Sequence, residues 1–360
     1  MEFLAPEDSI FLAYLRALAI LGIVLGHVGG FWFFKPYSSY LFVIVSFFFF
    51  LSGAVSFYSF KRARNIFVYY KKRIIKLIVP YYMLCILCLL VYISLNKELP
   101  YFNLFKFLAW LQIRPSDNMM PFPVGQIWFL HSLFFIILFS PLYFYLVDND
   151  SIVLYFILAF CFSLTILVLY MKHLCHYFII FHNHLYKSLA YSYFYILGIL
   201  YFMPYSKIRS NIYLIIAIVV NLTLIIYMLL FLKVNPDIDA HNFPPDVYYF
   251  LVSTFSLSVV LLFQNRIYKL FNHINIIDKI LKFFHRHTYS IYLLHTFSIY
   301  IVERVFGLVN PIHKTIGYGL KKFLLVLILT CIMSIPFTYI ADCVSKYLIA
   351  FKIKKNSSYG

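Results

Sequence analysis

The sequence predicts an all-α, polytopic membrane protein, a bundle of about ten transmembrane helices. Three observations predict it. Hydrophobic residues make up 63% of the 360-residue chain and charged residues 12%, where a soluble domain has about a quarter charged; mean hydropathy is +0.87. Apolar runs of about 17–25 residues recur along the chain, each long enough for a helix to cross the hydrocarbon layer. The basic residues behind the net charge of +17 sit mostly in short connections between these runs. That placement marks membrane sidedness rather than a nucleic-acid surface.

In chain order the runs are 11–34, 40–60, 74–95, 126–147, 151–171, 188–204, 210–232, 247–264, 287–308 and 322–349. The first fifteen residues contain Glu2, Glu7 and Asp8 but no Lys or Arg, so they lack the basic start of a cleaved signal and the first run reads as retained. The run 188–204 is the shortest. Tyr101 to Ile113 is apolar but short, which suits an interfacial or re-entrant segment, and 172–187 is a candidate half-span. No polar stretch is long enough for a separate soluble domain and no internal repeat is visible, so one integral-membrane domain over 1–360 is expected. An even number of spans puts both termini on one side. With the N-terminus inside, the inner loops and tails hold about 18 Lys and Arg against about 11 outside, led by 61–76 and 266–286. Both termini are therefore expected in the cytoplasm, with the chain in the inner (plasma) membrane.

Six cysteines lie mostly in or beside apolar segments. Cys85-x-x-Cys88 has a redox or metal spacing, but no second pair completes a site, and packing thiols are the expected reading. His173 and His176 stand three apart without a nearby carboxylate, so no metal site is expected.

Chemistry is expected where charge enters the apolar runs. Arg16 and His27 both lie in the first. A guanidinium there costs roughly 2.5–3.5 kcal/mol on insertion scales, so it faces a partner or a wet cavity, or else it snorkels to the interface. Eleven positions at about 100° each bring His27 to within about 20° of the face of Arg16, roughly 16 Å along the axis. One helix thus offers a fixed cation and, deeper in, a titratable base on one stripe; the plainer alternative is a histidine satisfied by a carbonyl. A second cluster follows the second run: Lys61, Arg62 and Arg64, then Lys71-Lys72-Arg73 and Lys76. Arg73 and Lys76 share a helical face at the membrane boundary. Such cations suit phosphate groups, Arg through its fork and Lys as a point charge, while topology marking and attraction to anionic headgroups is the plainer reading. Of thirteen Asp and Glu residues, only Glu303 and Asp342 fall within the runs.

These segments carry a resemblance. Arg16-x10-His27, preceded by Tyr14-Leu15 and followed by Ala17-Leu18-Ala19-Ile20-Leu21, resembles the signature of the membrane-bound acyltransferase-3 family. Phe47-Phe48-Phe49-Phe50-Leu51-Ser52-Gly53 resembles its FFxLSG second span. Lys72-Arg73-x-x-Lys76 followed by Pro80-Tyr81 resembles its RxxR-to-Pro-Tyr element. Ile127-Trp128-Phe129-Leu130 and Tyr289-Ser290-Ile291-Tyr292-Leu293-Leu294-His295 resemble its WFL and S-x-YL-x-H segments. The fragments are weak singly and specific as an ordered set over about residues 9 to 345. Two positions depart: Ala13 stands where the family often has an acid, and Lys76 replaces the second arginine, keeping charge without the fork.

The resemblance implies ten membrane helices and transfer of an acyl group, usually acetyl, from cytoplasmic acyl-CoA to a glycan hydroxyl across the membrane. Acyl transfer asks for a base, donors for the developing oxyanion and cations for the CoA phosphates. His27 is the expected base, since an unshifted imidazole titrates near pH 6.5, acting directly or carrying the acyl group itself. Asp342, favoured by the resemblance, or Glu303 is expected to orient it, although Glu303 could instead pair with Arg304 or snorkel. Arg16, Arg73 and Lys76 are expected to hold the phosphates of acetyl-CoA. Trp128, Ser290, Tyr292 and His295 are second-rank candidates, with packing as their plainer role. The expected partners are membrane lipid and a glycan or lipid-linked saccharide acceptor, met through outer loops such as 99–125 and 234–246, with no nucleic acid. A flippase of lipid-linked sugars would also use buried charges, but it often shows inverted halves, which are not visible here. A polysaccharide polymerase would be expected to place its cations on outer loops, whereas the densest cluster here lies inside.

Overall fold

The computed structural model describes residues 4–29, 37–63, 65–95, 105, 108–109, 124–149, 179–180, 183–204, 206–242, 245–309 and 315–356. Among the described residues ten helices carry the fold: α1 Pro6–His27, α2 Ile44–Lys61, α3 Ile66–Ser94, α4 Trp128–Asn149, α5 Leu185–Phe202, α6 Asn211–Leu230, α7 Val247–Leu262, α8 Gln264–His273, α9 Asn275–Phe306 and α10 Ile316–Asn356. Short 3-10 turns and one two-residue antiparallel pairing, Ile179–Ile180 with Asn183–His184, complete the regular structure. The all-α expectation holds.

Six of these helices are long and apolar enough to cross a membrane, and the bent α7–α8 pair, angled by 59°, makes a seventh if taken as one span. This is a multi-pass membrane protein. The helices α5 and α9, of 18 and 32 residues, fall outside that set for a physical reason. Along α5 the polar side chains turn inward, with Tyr191, Tyr195 and Ser192 buried, and α9 directs Ser290 and Tyr292 to an internal cavity. Polar residues in a span face the interior of the bundle, so the innermost helices look least like membrane spans. By contrast α6 buries only Leu214 and Ile225 and shows lipid an apolar face. The expected run 151–171, most of 172–187 and most of 101–113 lie outside the described residues.

Several helices begin ahead of their apolar runs. The Asn65 side chain accepts from Val68 N at 2.9 Å and starts α3 in polar sequence, as an N-cap does. Lys71 to Lys76 are therefore helical and project from one rigid rod. Likewise α9 starts well before 287 and stops at Gly307, whose φ of 66° is the left-handed turn that glycine accepts freely.

Three contacts set the frame. The buried Asp8 in the first turn of α1 accepts from both Arg209 terminal nitrogens, at 2.8 and 2.5 Å, and from Gln264 Nε2 at 2.7 Å. This fixes the foot of α1. Further along, Tyr14 Oη donates to Asp278 Oδ1 at 2.5 Å, while His27 meets His295, so α1 and α9 run side by side in the same direction. Lys282 and Tyr14 together hold the Asp278 carboxyl below the usual carboxylate range. Across the bundle, α2 and α5 cross at reciprocal glycines. A Cβ on Gly53 would lie 1.9 Å from Tyr195 O, and one on Gly198 would lie 2.0 Å from Phe50 O. Small residues let membrane helices approach to backbone contact, which explains the glycine of the Leu51-Ser52-Gly53 motif.

The apolar interior forms two clusters. One is built mainly from α2, α5 and α7, the other mainly from α1, α3 and α9. The site lies where they meet.

Candidate functional site

A cavity of about 430 Å³ is lined from α1, α2, α3, α4, α9 and α10, from the 3-10 turns Tyr37–Val43 and Gly125–Ile127, and by Asn242. Arg16, Arg73, Lys76, Arg286 and Asp342 line it at one end and His27 at the other. The periodicity argument thus placed Arg16 and His27 on one cavity-facing stripe of α1.

At the basic end none of these charges is held in a salt bridge among the described residues. Nε and Nη2 of Arg73 are buried with no hydrogen-bond partner among the described residues. Arg16 lies close enough for the two guanidinium charges to act on each other. Among the described residues neither joins a salt bridge. Buried charges without partners are costly, and each buried unsatisfied donor asks for an explanation. The two guanidiniums share one cavity with Lys76, a set of cations whose chemistry suits an anion. Within α3, Pro80 removes the donor that would have met the Lys76 carbonyl, and Tyr289 Oη donates to the next carbonyl, Leu77 O, at 2.6 Å. The basic turn is thereby tied to α9.

The histidine end can be read proton by proton. His295 Nδ1 lies 2.7 Å from Tyr292 O and 3.3 Å from Ile291 O. Carbonyl oxygens only accept, so Nδ1 carries the hydrogen, and a neutral ring then offers Nε2 as an acceptor. His27 Nδ1 lies 2.6 Å from that Nε2 and must be the donor. His27 is left with its own Nε2 lone pair, the nitrogen a general base needs. The two ring planes are within 5° of parallel. His295 is 0% exposed, whereas His27 lines the cavity. His295 is itself framed by its neighbours: Tyr292 Oη donates to Gln126 O, and Gln126 Nε2 donates to Thr296 Oγ1 at 2.8 Å.

Neither expected carboxylate reaches His27. Glu303 accepts from Lys322 Nζ at 2.7 Å, so its partner is a lysine of α10 rather than Arg304 or the base. Asp342 does line the cavity, but at the basic end. It stands one turn beyond Thr338, whose Oγ1 meets His287 Nδ1 at 2.8 Å and Ser290 Oγ at 2.7 Å. From His287 to His295 is ~12 Å along α9 at the helical rise, too far for a direct hydrogen bond. The group that orients His27 is His295.

Trp128, Ser290 and Tyr292 also line the cavity. The ring of Trp128 carries Lys187 Nζ 4.9 Å from its centroid. Sequence reasoning missed Gln126 and Asn242, two amides 7% and 1% exposed on the cavity wall. Gln126 directly precedes the Ile127-Trp128-Phe129-Leu130 segment, which was the signal that could have found it; Asn242 adjoins no motif. Among the described residues no cluster of His, Cys, Asp and Glu could hold a metal, and Cys85 and Cys88 are buried free thiols.

Fold and site together define a multi-pass membrane protein whose internal cavity joins a cluster of cations to a hydrogen-bonded histidine pair. Residues 9–343 match the family model described as an acyltransferase domain, that of acyltransferase family 3. The chain belongs to that family and is an acyltransferase; acyl transfer in this family is generally to glycans. No curated protein and no solved structure matches the chain significantly.

Proposed function

We propose that the chain moves an acyl group, acetyl by default, from acyl-CoA to a hydroxyl of a cell-envelope glycan, with the donor entering at the basic end and the acceptor at the His27 end. One observation carries this reading: a single cavity joins Arg16 and Arg73, the latter with two buried unpaired nitrogens, to His27, whose Nδ1 is engaged by His295. The roughly 16 Å between Arg16 and His27 along α1 is about the reach of an extended pantetheine arm. Diphosphate on Arg16, Arg73 and Lys76 therefore sets the thioester beside the base. The positive-inside bias supports donor entry from the cytoplasm of an inner (plasma) membrane, with both termini on that side.

In the chemical step His27 Nε2 takes the proton of the acceptor hydroxyl as its oxygen bonds to the thioester carbonyl carbon. When the carbon–sulfur bond breaks, the same nitrogen returns that proton to the leaving thiolate. Ester and free thiol are the products, and His27 ends as it began. His295 holds the tautomer throughout, in the way the third member of a catalytic triad holds its histidine.

The test is direct. Full-length protein in lipid nanodiscs is incubated with radiolabelled acetyl-CoA and an envelope glycan fraction. Label should move to glycan as an alkali-labile ester. Label that stays with CoA in the presence of the glycan fraction would overturn this assignment of donor and acceptor.

A further inference from the structure

The basic end of the cavity carries one group that a pure phosphate site does not call for. Asp342 lines it with Arg73, Lys76 and Arg286, and among the described residues its carboxylate joins no salt bridge. It is exposed, on a wall that Ser345 and Thr338 share one turn to either side. The bonds from Thr338 to His287 and Ser290 hold this stretch of α10 against α9. A free carboxylate repels phosphate, so beside an anion site it weakens binding unless it meets something else on the same ligand. A carboxylate accepts hydrogen bonds from hydroxyl and amino groups. Acyl-CoA presents both just beyond its diphosphate, on the ribose and on the adenine ring. An acidic residue reading a ribose hydroxyl beside a phosphate site is an arrangement that dinucleotide-binding proteins use.

We propose that Asp342, flanked by Thr338 and Ser345, binds the nucleoside end of the donor. This rests on the acyl-CoA reading above and adds a consequence that reading lacks. The protein selects a nucleotide-bearing thioester over one that ends at phosphopantetheine, as the arm of an acyl carrier protein does. Cations recognise phosphate in either case; only the carboxylate wall asks for a nucleoside.

Two donors separate the effects: acetyl-CoA and acetyl-4′-phosphopantetheine, which share thioester, arm and one phosphate. The readout is the ratio of kcat/KM for the two donors with full-length protein in nanodiscs, which does not depend on how much of a variant folds. The wild-type ratio contains the second phosphate of the diphosphate, the ribose 3′-phosphate and the nucleoside, so the decisive quantity is its change on substitution. Loss of one charge-assisted hydrogen bond predicts that Asp342→Asn lowers the ratio about tenfold. Ser345→Ala on the same wall should lower it about twofold. A ratio unchanged or raised by Asp342→Asn overturns the nucleoside contact while leaving acyl-CoA as donor. Failure of the wild type to transfer from either donor overturns the acyl-CoA reading itself, and the nucleoside contact with it.

Discussion

Replacing His295 tests the reading of the proton arrangement. In His295→Ala the Nδ1 hydrogen of His27 loses its acceptor, and the imidazole loses what fixes both tautomer and orientation. Three χ1 wells and two ring flips dilute the productive orientation about sixfold, or ~1 kcal/mol. The lost hydrogen bond adds about 1 kcal/mol net, and the second tautomer a few tenths more. The sum, about 2–3 kcal/mol, corresponds to a roughly hundredfold fall in kcat. The KM for acyl-CoA should change little, because the phosphate cations lie at the other end of the cavity. His295→Gln should recover about a factor of ten, since its amide oxygen can accept from His27 Nδ1 at nearly the reach of the lost Nε2. Initial rates of glycan acetylation, with KM and kcat determined separately for each variant, decide the matter. If His295→Ala retains wild-type kcat, or if Gln is no better than Ala, His295 does not orient the base.

Other expectations follow from the same geometry. His27→Ala should abolish transfer while membrane insertion and acyl-CoA binding persist; wild-type glycan acylation would refute its role as base. Arg73→Ala should raise KM for acyl-CoA at least tenfold with little effect on acceptor KM, measured by isotope transfer, because the bound phosphate loses the two buried guanidinium nitrogens that would donate to it. Gly53→Ala should lower the unfolding temperature in detergent, since its Cβ would lie 1.9 Å from Tyr195 O and overpacking costs about 1–3 kcal/mol; an unchanged melt would refute the close crossing. His241, in the loop before α7, bonds Asp246 at 2.5 Å, which raises its pKa above the ordinary value. Its stabilising effect should be full below about pH 6.5 and fade as pH rises through the raised value. The difference in unfolding temperature between wild type and His241→Gln should therefore shrink toward alkaline pH, and a difference that grows would contradict the pairing.

Much of the fold was legible because apolar length and loop charge act locally. The runs at 210–232 and 126–147 correspond closely to α6 and α4. Boundaries failed where polar sequence is helical for non-membrane reasons: Asn65 caps α3 ahead of its apolar run, and the foot of α9 is held by Tyr14 across the bundle. Spacing alone placed Arg16 and His27 on one cavity wall, since both ride on a single helix. The partner of His27 was not legible as such. His295 lies far along the chain and meets it only because α1 and α9 run side by side. Scarcity of carboxylates pointed to Asp342 and Glu303, but scarcity says nothing about position. Lys322 claims Glu303, and one end of the cavity claims Asp342.

A cryo-EM structure of the protein in nanodiscs with a non-hydrolysable acetyl-CoA analogue tests the central claim most directly. The account predicts the diphosphate against Arg16, Arg73 and Lys76 and the carbonyl mimic within hydrogen-bonding reach of His27 Nε2. An analogue seated with its phosphates away from these cations, or with its acyl end remote from His27, would contradict it.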